Sequence, residues 1–260
     1  MLRDMGVAGR APKHCRAYRR QCRSGRWAHV VAATIRGAQW GGDTFYCQQA
    51  PAMLVRKEIL AGASGDWSKQ VMMRAYDREA LRHQFSIAEP FRFIKIDDLF
   101  DPTFARAVAA AYPSFEVALA KGRAFKAINE RKKVQITDAS VFPGPVAQLN
   151  KLLASAEFLA DLSYVTGIPQ LLADVQLIGG GMHLTGPGGR LDVHVDFNLL
   201  RDRMIYRRLN LLLYLNPFWE EPWGGHTWKA SGRRPQDQTK CKAIDRDTTI
   251  TALIANIDIF

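Results

Sequence analysis

Residues Leu177–Asn198, LIGGGMHLTGPGGRLDVHVDFN, and Arg207–His226, RRLNLLLYLNPFWEEPWGGH, decide how the rest of the chain is read. In LDVHVDFN the side chains alternate. Asp192, His194, Asp196 and Asn198 fall on one face of a strand, and Val193, Val195 and Phe197 on the other. RRLNLLLYLN alternates as well: Asn210, Leu212, Tyr214 and Asn216 share one face, and Leu209, Leu211, Leu213 and Leu215 share the other. Pro217 stops that strand and Gly224-Gly225 marks a turn before another one.

His194 and Asp196 point the same way, two residues apart, close enough to share one small ion. An imidazole beside a carboxylate supplies two of the three ligands of the 2-His-1-carboxylate triad, which holds non-haem Fe(II) and leaves positions open for chemistry. The competing reading of His-Val-Asp alone is a polar stripe on a half-buried antiparallel strand.

HVDFN, followed by RRLNLLLYLNPFWEEPWGGH, resembles the core of the 2-oxoglutarate/Fe(II)-dependent oxygenases of the prolyl-4-hydroxylase-like branch. GGGMHLTGPGGRLDVHVDF resembles the strand-loop-strand leading into their metal site. The resemblance runs from about Phe91 to Trp228 and is densest from Gly179 to His226. It implies an α+β fold: a double-stranded β-helix, or jelly roll, buttressed by helices. It implies His194 and Asp196 as iron ligands and Tyr214 as a donor to a 2-oxoglutarate carboxylate. It further implies Fe(II) and 2-oxoglutarate, with ascorbate as an auxiliary reductant. The implied reaction is hydroxylation of a C–H bond, in a prolyl residue of a peptide or protein, or in a small molecule.

The family supplies a second histidine on a later strand and a basic residue about ten positions beyond it. After His226 this chain has no histidine. The expectation is therefore a β-helix incomplete at its C-terminus, with strand edges left unpaired. His226, Asp245 and Asp247 are the remaining candidates for a third ligand, and His183 is a candidate at the site mouth. The rival to an enzyme is a catalytically inactive or truncated β-helix protein that binds or supports.

The domain reading follows charge and periodicity. Residues 1–40 hold nine Lys/Arg and one acid, whereas the other 220 carry 27 basic and 24 acidic groups, so the net charge of +11 belongs mostly to the tail. Residues 1–75 are expected to form a basic extension without a packed core. Three readings of it compete: a targeting segment, a basic arm, or an extension without function. Residues 76–260 form the oxygenase-like domain, with helical support over 101–170, β-helix core over 171–230 and an atypical C-terminus over 231–260. A 47% hydrophobic share suffices for a core.

FRFIKIDDLF reads as a strand. Asp101 with Pro102 begins a helix, and Pro145–Leu153 and Ser155–Thr166 read as two more. The glycines at 179–181 and 187–189 match no phosphate-loop spacing and read as tight turns and kinks. Arg131-Lys132-Lys133 reads as a solvated face, so a nucleic-acid partner is not expected. Arg207 and Arg208 read as surface pairing. The four cysteines lack C-x-x-C spacing, and the longest early apolar run, Ala28–Ile35, is too short to span a bilayer. A cytoplasmic protein without a membrane partner is expected.

Overall fold

The structure is a computed structural model that describes residues 28–37, 45–49, 72–89, 91–127, 130–195, 197–200, 204–216, 227–229, 242–243 and 251–256. Side chains are described for 72–89, 91–127, 130–189, 191, 197–200 and 204–216.

Among the described residues, five α-helices pack beside the sheet. Helix α1 (Arg78–Ile87) starts at Asp77, whose carboxylate accepts from the Glu79 and Ala80 amides at 2.9 and 3.1 Å. Helix α2 (Pro102–Ala110) has Asp101 as its cap and Pro102 in its first turn, as the sequence indicates. Ser114 caps α3 (Phe115–Lys121). Helix α4 spans Gly144–Leu153. Helix α5 (Ala156–Thr166) runs from the Ser155 cap to Gly167, whose φ of 70° closes the helix in the left-handed region. Tyr76 donates to Asp161 at 2.6 Å and Arg78 pairs with the same carboxylate at 2.8 Å, which ties the entry of α1 to α5. No described helix is long and apolar enough to cross a membrane.

The strands are β1 (Ala28–Gly37), β2 (Phe45–Gln49), β3 (Phe93–Asp97), β4 (Arg123–Lys126), β5 (Glu130–Ile136) and β6 (Leu172–Ala173). They continue as β7 (Gly181–Val195), β8 (Leu199–Leu200), β9 (Ile205–Tyr214), β10 (Thr227–Lys229), β11 (Lys242–Ala243) and β12 (Thr251–Asn256). The main path runs β11-β10-β2-β7-β1-β9-β12-β3, and every described pairing is antiparallel. Among the described strands, no pairing joins the two ends of that path into a closed barrel.

Two strands of this sheet come from the stretch assigned above to an N-terminal extension, β1 and β2, and two from the atypical C-terminus, β11 and β12. AHVVAATI is the one apolar, β-branched run in that basic tail, and it supplies β1. TALIAN does the same at the other end as β12. Together they flank β9: Leu211 is opposite Ala33 on one edge and Ile254 on the other. The edges of the LNLLLYL strand expected to be open are therefore both paired along the backbone.

Alternation in β9 sorts its side chains as the sequence implies. Leu209, Leu211, Leu213 and Leu215 are sealed into the main core with Val134, Ile136, Met182, Leu184 and Phe104. The opposite face is also covered: Asn210, Tyr214 and Asn216 are buried on it. A strand covered on both faces reads as a nearly continuous apolar run, and the two asparagines are its informative exceptions.

The GGGMHLTGPGGRLDVHV stretch forms one bent strand. On one edge β7 pairs with β1 over Gly181–Thr185 and then with β2 over Arg190–Val195. On the other edge it pairs with β5, where the register jumps from Thr185 opposite Lys133 to Arg190 opposite Arg131. Residues Gly186–Gly189 bulge out at that jump, with Lys132 at φ 52° facing them and donating to the Pro187 carbonyl at 2.8 Å. At the start of β7, a Cβ on Gly181 would lie 2.3 Å from the Ile136 carbonyl oxygen, so only glycine allows this approach.

Candidate functional site

The second face of the sheet carries the polar groups. Register places Arg123 (β4), Gln135 (β5), His183 (β7), Val30 (β1), Tyr214 (β9), Thr251 (β12) and Asp97 (β3) in one transverse row. Directly paired residues share a face, and neighbouring strands are about 4.8 Å apart. His183 and Tyr214, separated by one strand, are thus about 10 Å apart along the row.

His183 is fixed by its surroundings. Its Nε2 lies 3.2 Å from the Gly180 carbonyl, which also accepts from Gln135 Nε2 at 2.7 Å. That geometry matches a hydrogen-bonded structural histidine. Tyr214 is 6% exposed and packs against Phe93 and Leu212. The buried ring leaves the hydroxyl as its one polar group, which suits a donor more than a surface contact.

His194 is in the last part of β7, opposite Tyr46 of β2. Only its backbone is described. Asp196, His226, Asp245 and Asp247 lie outside the described residues. Trp219 and Trp223 do also, while Trp228 is in β10 opposite Cys47. The structure therefore brings His183 and Tyr214 onto one face and carries the backbone to His194. Among the described residues there is no group of three His, Cys, Asp or Glu side chains that converge on a metal.

Arg207 departs from its sequence reading. The surface pairing expected for it does not occur: the side chain is 5% exposed. The β1–β9 register shifts at Ile35/Arg36, where Leu209 and Arg207 become the successive partners and Arg208 is the extra residue. This bulge turns Arg207 onto the Asn210 face, and its Nη2 donates to Asn210 Oδ1 at 2.6 Å. The guanidinium also stands 4.9 Å over the Phe197 ring, and the Arg207 amide donates to the Asn198 carbonyl at 2.7 Å. The chain immediately after Asp196 is thus anchored to β9 through a buried cation. A bulge has no signature in RRLN, so alternation alone does not bring Arg207 onto the Asn210 face. Asn210, an amide within a leucine strand, was the available clue.

A third set of groups sits on the β4–β5 hairpin. Phe125 is half-buried, with Arg123 Cζ 4.9 Å and Lys133 Nζ 5.0 Å from its ring centre. Lys133 also pairs with Glu130 at 2.6 Å. Arg131 and Lys132 are exposed, in keeping with the solvated-face reading, whereas Lys133 is not.

Comparison with family models, curated proteins and solved structures gives no match to this chain.

Proposed function

We propose that the chain is an Fe(II)- and 2-oxoglutarate-dependent dioxygenase on a double-stranded β-helix, hydroxylating a C–H bond, with a prolyl residue of a peptide or protein as the first substrate class to test. The observation that carries this reading is the anchoring of the segment after the His194-x-Asp196 pair to β9. Arg207 holds Asn198 and Phe197 on the strand that also bears Tyr214.

The donor set suits the metal in type. Imidazole and carboxylate are ligands that divalent iron accepts. His194 and Asp196 would hold the ion, which when bound would supply hydroxylation of the C–H bond by O2, one oxygen atom entering the substrate and the other the succinate formed, with CO2, from 2-oxoglutarate. The chain's own residues orient and exclude water. The Tyr214 hydroxyl would donate to a carboxylate of the cosubstrate from a face on which Phe93 and Leu212 pack against its ring. Ascorbate would serve as auxiliary reductant. Cysteines without paired spacing suit a reducing cytoplasm.

The test is anaerobic Fe(II) titration followed by measurement of succinate formed from 2-oxoglutarate. Asp196→Ala and His194→Ala are expected to abolish iron affinity, and Asp192→Ala to leave it. Equal losses in all three would mean that an acidic strand face, and no defined site, attracts the ion. Tight iron binding without succinate would favour the second reading, a binding protein without turnover.

A further inference from the structure

The stretch Lys121–Lys133 contains six Lys/Arg and one Glu. Outside the first 40 residues the chain has 27 basic and 24 acidic groups. Without this stretch the same region has 21 basic and 23 acidic groups, so the hairpin concentrates all of its positive excess. The cations are well placed to act together. Arg123, Lys126, Arg131 and Lys132 are exposed on two adjacent strands, with Lys121 exposed just before them.

Lys126 is directly opposite Arg131 in the ladder. Like charges at directly opposed positions destabilise a strand pair, and an anionic partner lying across them removes that penalty. β4 also ends the sheet on its side: among the described residues it pairs with β5 alone. An edge strand presents backbone donors and acceptors to any extended chain alongside it. The Phe125 ring already has two cations within 5.0 Å, so it does not serve as a stacking platform for a base.

We propose that the β4–β5 hairpin is a docking edge for an acidic, extended polypeptide segment, which adds to β4 as a further strand. Backbone pairing supplies the register and the flanking cations supply the selectivity for acidic side chains. The row from Arg123 through Gln135 to His183 places this edge on the same sheet face as His183 and Tyr214. The proposal concerns binding alone and stands whether or not the chain oxidises its partner.

The experiment is fluorescence anisotropy of the full chain with a labelled ten-residue peptide alternating Glu and Val at low salt. Three probes accompany it: the same peptide N-methylated at alternate residues, its Lys/Val counterpart, and a single-stranded oligonucleotide of equal charge. Lys126→Glu combined with Arg131→Glu preserves a like-charge pair across the ladder while reversing its sign. Circular dichroism verifies that this variant is folded. The expected result is saturable binding of the acidic peptide, weakened at least tenfold by the double reversal, by N-methylation and by 0.5 M salt. The double variant should then favour the Lys/Val peptide. Absence of binding, or affinity unchanged by the double reversal, overturns the proposal. Equal affinity of the N-methylated peptide overturns strand addition. Tighter binding of the oligonucleotide, abolished by the same reversal, identifies a nucleic-acid surface instead and also overturns it.

Discussion

Replacing Gly181 by alanine tests whether the start of β7 is held as described. Its φ of 92° is in the left-handed region, where an L side chain costs about 1–2 kcal/mol. The added Cβ would also lie 2.3 Å from the Ile136 carbonyl oxygen and 3.2 Å from its carbon. Both are backbone atoms of β5 and cannot rotate away. Relief requires β5 and β7 to separate by about 1 Å, which loosens the neighbouring ladder bonds at about 1 kcal/mol each. The combined loss is about 3–4 kcal/mol, a large share of the roughly 5–15 kcal/mol available to a domain. The same movement would pull Gly180 from Gln135 and His183, whose contacts with it are 2.7 and 3.2 Å. Urea unfolding followed by circular dichroism measures the change. Gly144→Ala is the internal control: its Cβ meets nothing within 4 Å beyond its chain neighbours, and the following Pro145 offsets the helix preference of alanine, so a change within about 1 kcal/mol is expected. A Gly181→Ala loss below 1 kcal/mol, or equal responses at the two glycines, would refute the reasoning.

Leu211→Ala, at a fully sealed position of the main core, should cost about 2–5 kcal/mol, whereas Leu119→Ala, exposed on α3, should fall within about 0.5 kcal/mol of the parent. Comparable urea midpoints for the two would contradict the packing of β9. Burial and the adjacent Asp161 push the Tyr76 phenol above its ordinary value of 10.0, so folding favours the protonated form. That contribution is complete below pH 10 and declines above it, because the unfolded chain ionises first. Tyr76→Phe should therefore flatten part of the alkaline fall in stability. Burial shifts Tyr112 in the same direction, so a residual slope remains. Superimposable alkaline profiles for parent and variant would show that the Tyr76–Asp161 contact contributes nothing.

Local signals were legible where one residue type has one physical role. Asp101 before Pro102, and Ser155 three residues before Phe158, mark helix starts because their side chains satisfy amide donors that nothing else reaches. The alternation of LNLLLYL identified which leucines enter the core. Strand partners were not legible, because pairing depends on residues far apart in the chain. Nothing in AHVVAATI specifies that Val30 pairs with both His183 and Tyr214. The Arg-rich surroundings of that run directed attention to charge and away from its β-forming residues. The candidate site was legible as a motif and only partly as geometry. Register puts Tyr214 and His183 on one face, and Arg207 reaches it through a bulge whose position depends on the β1 backbone opposite.

The order of the strands also dictates when the protein can fold during synthesis. β9 is flanked by β1, translated well before it, and by β12, translated after it. Until residues 251–256 clear the ribosome, one edge of a leucine-rich strand has no partner and the nascent chain offers it to any neighbour. Contacts between Val30 and Tyr214 span most of the polypeptide, a high contact order that slows closure of the sheet. Helices α1 to α5, whose caps and partners are mostly local, can form well before that. Their early assembly would leave a preformed helical layer waiting for the sheet, and chaperone dependence should concentrate in the interval between them.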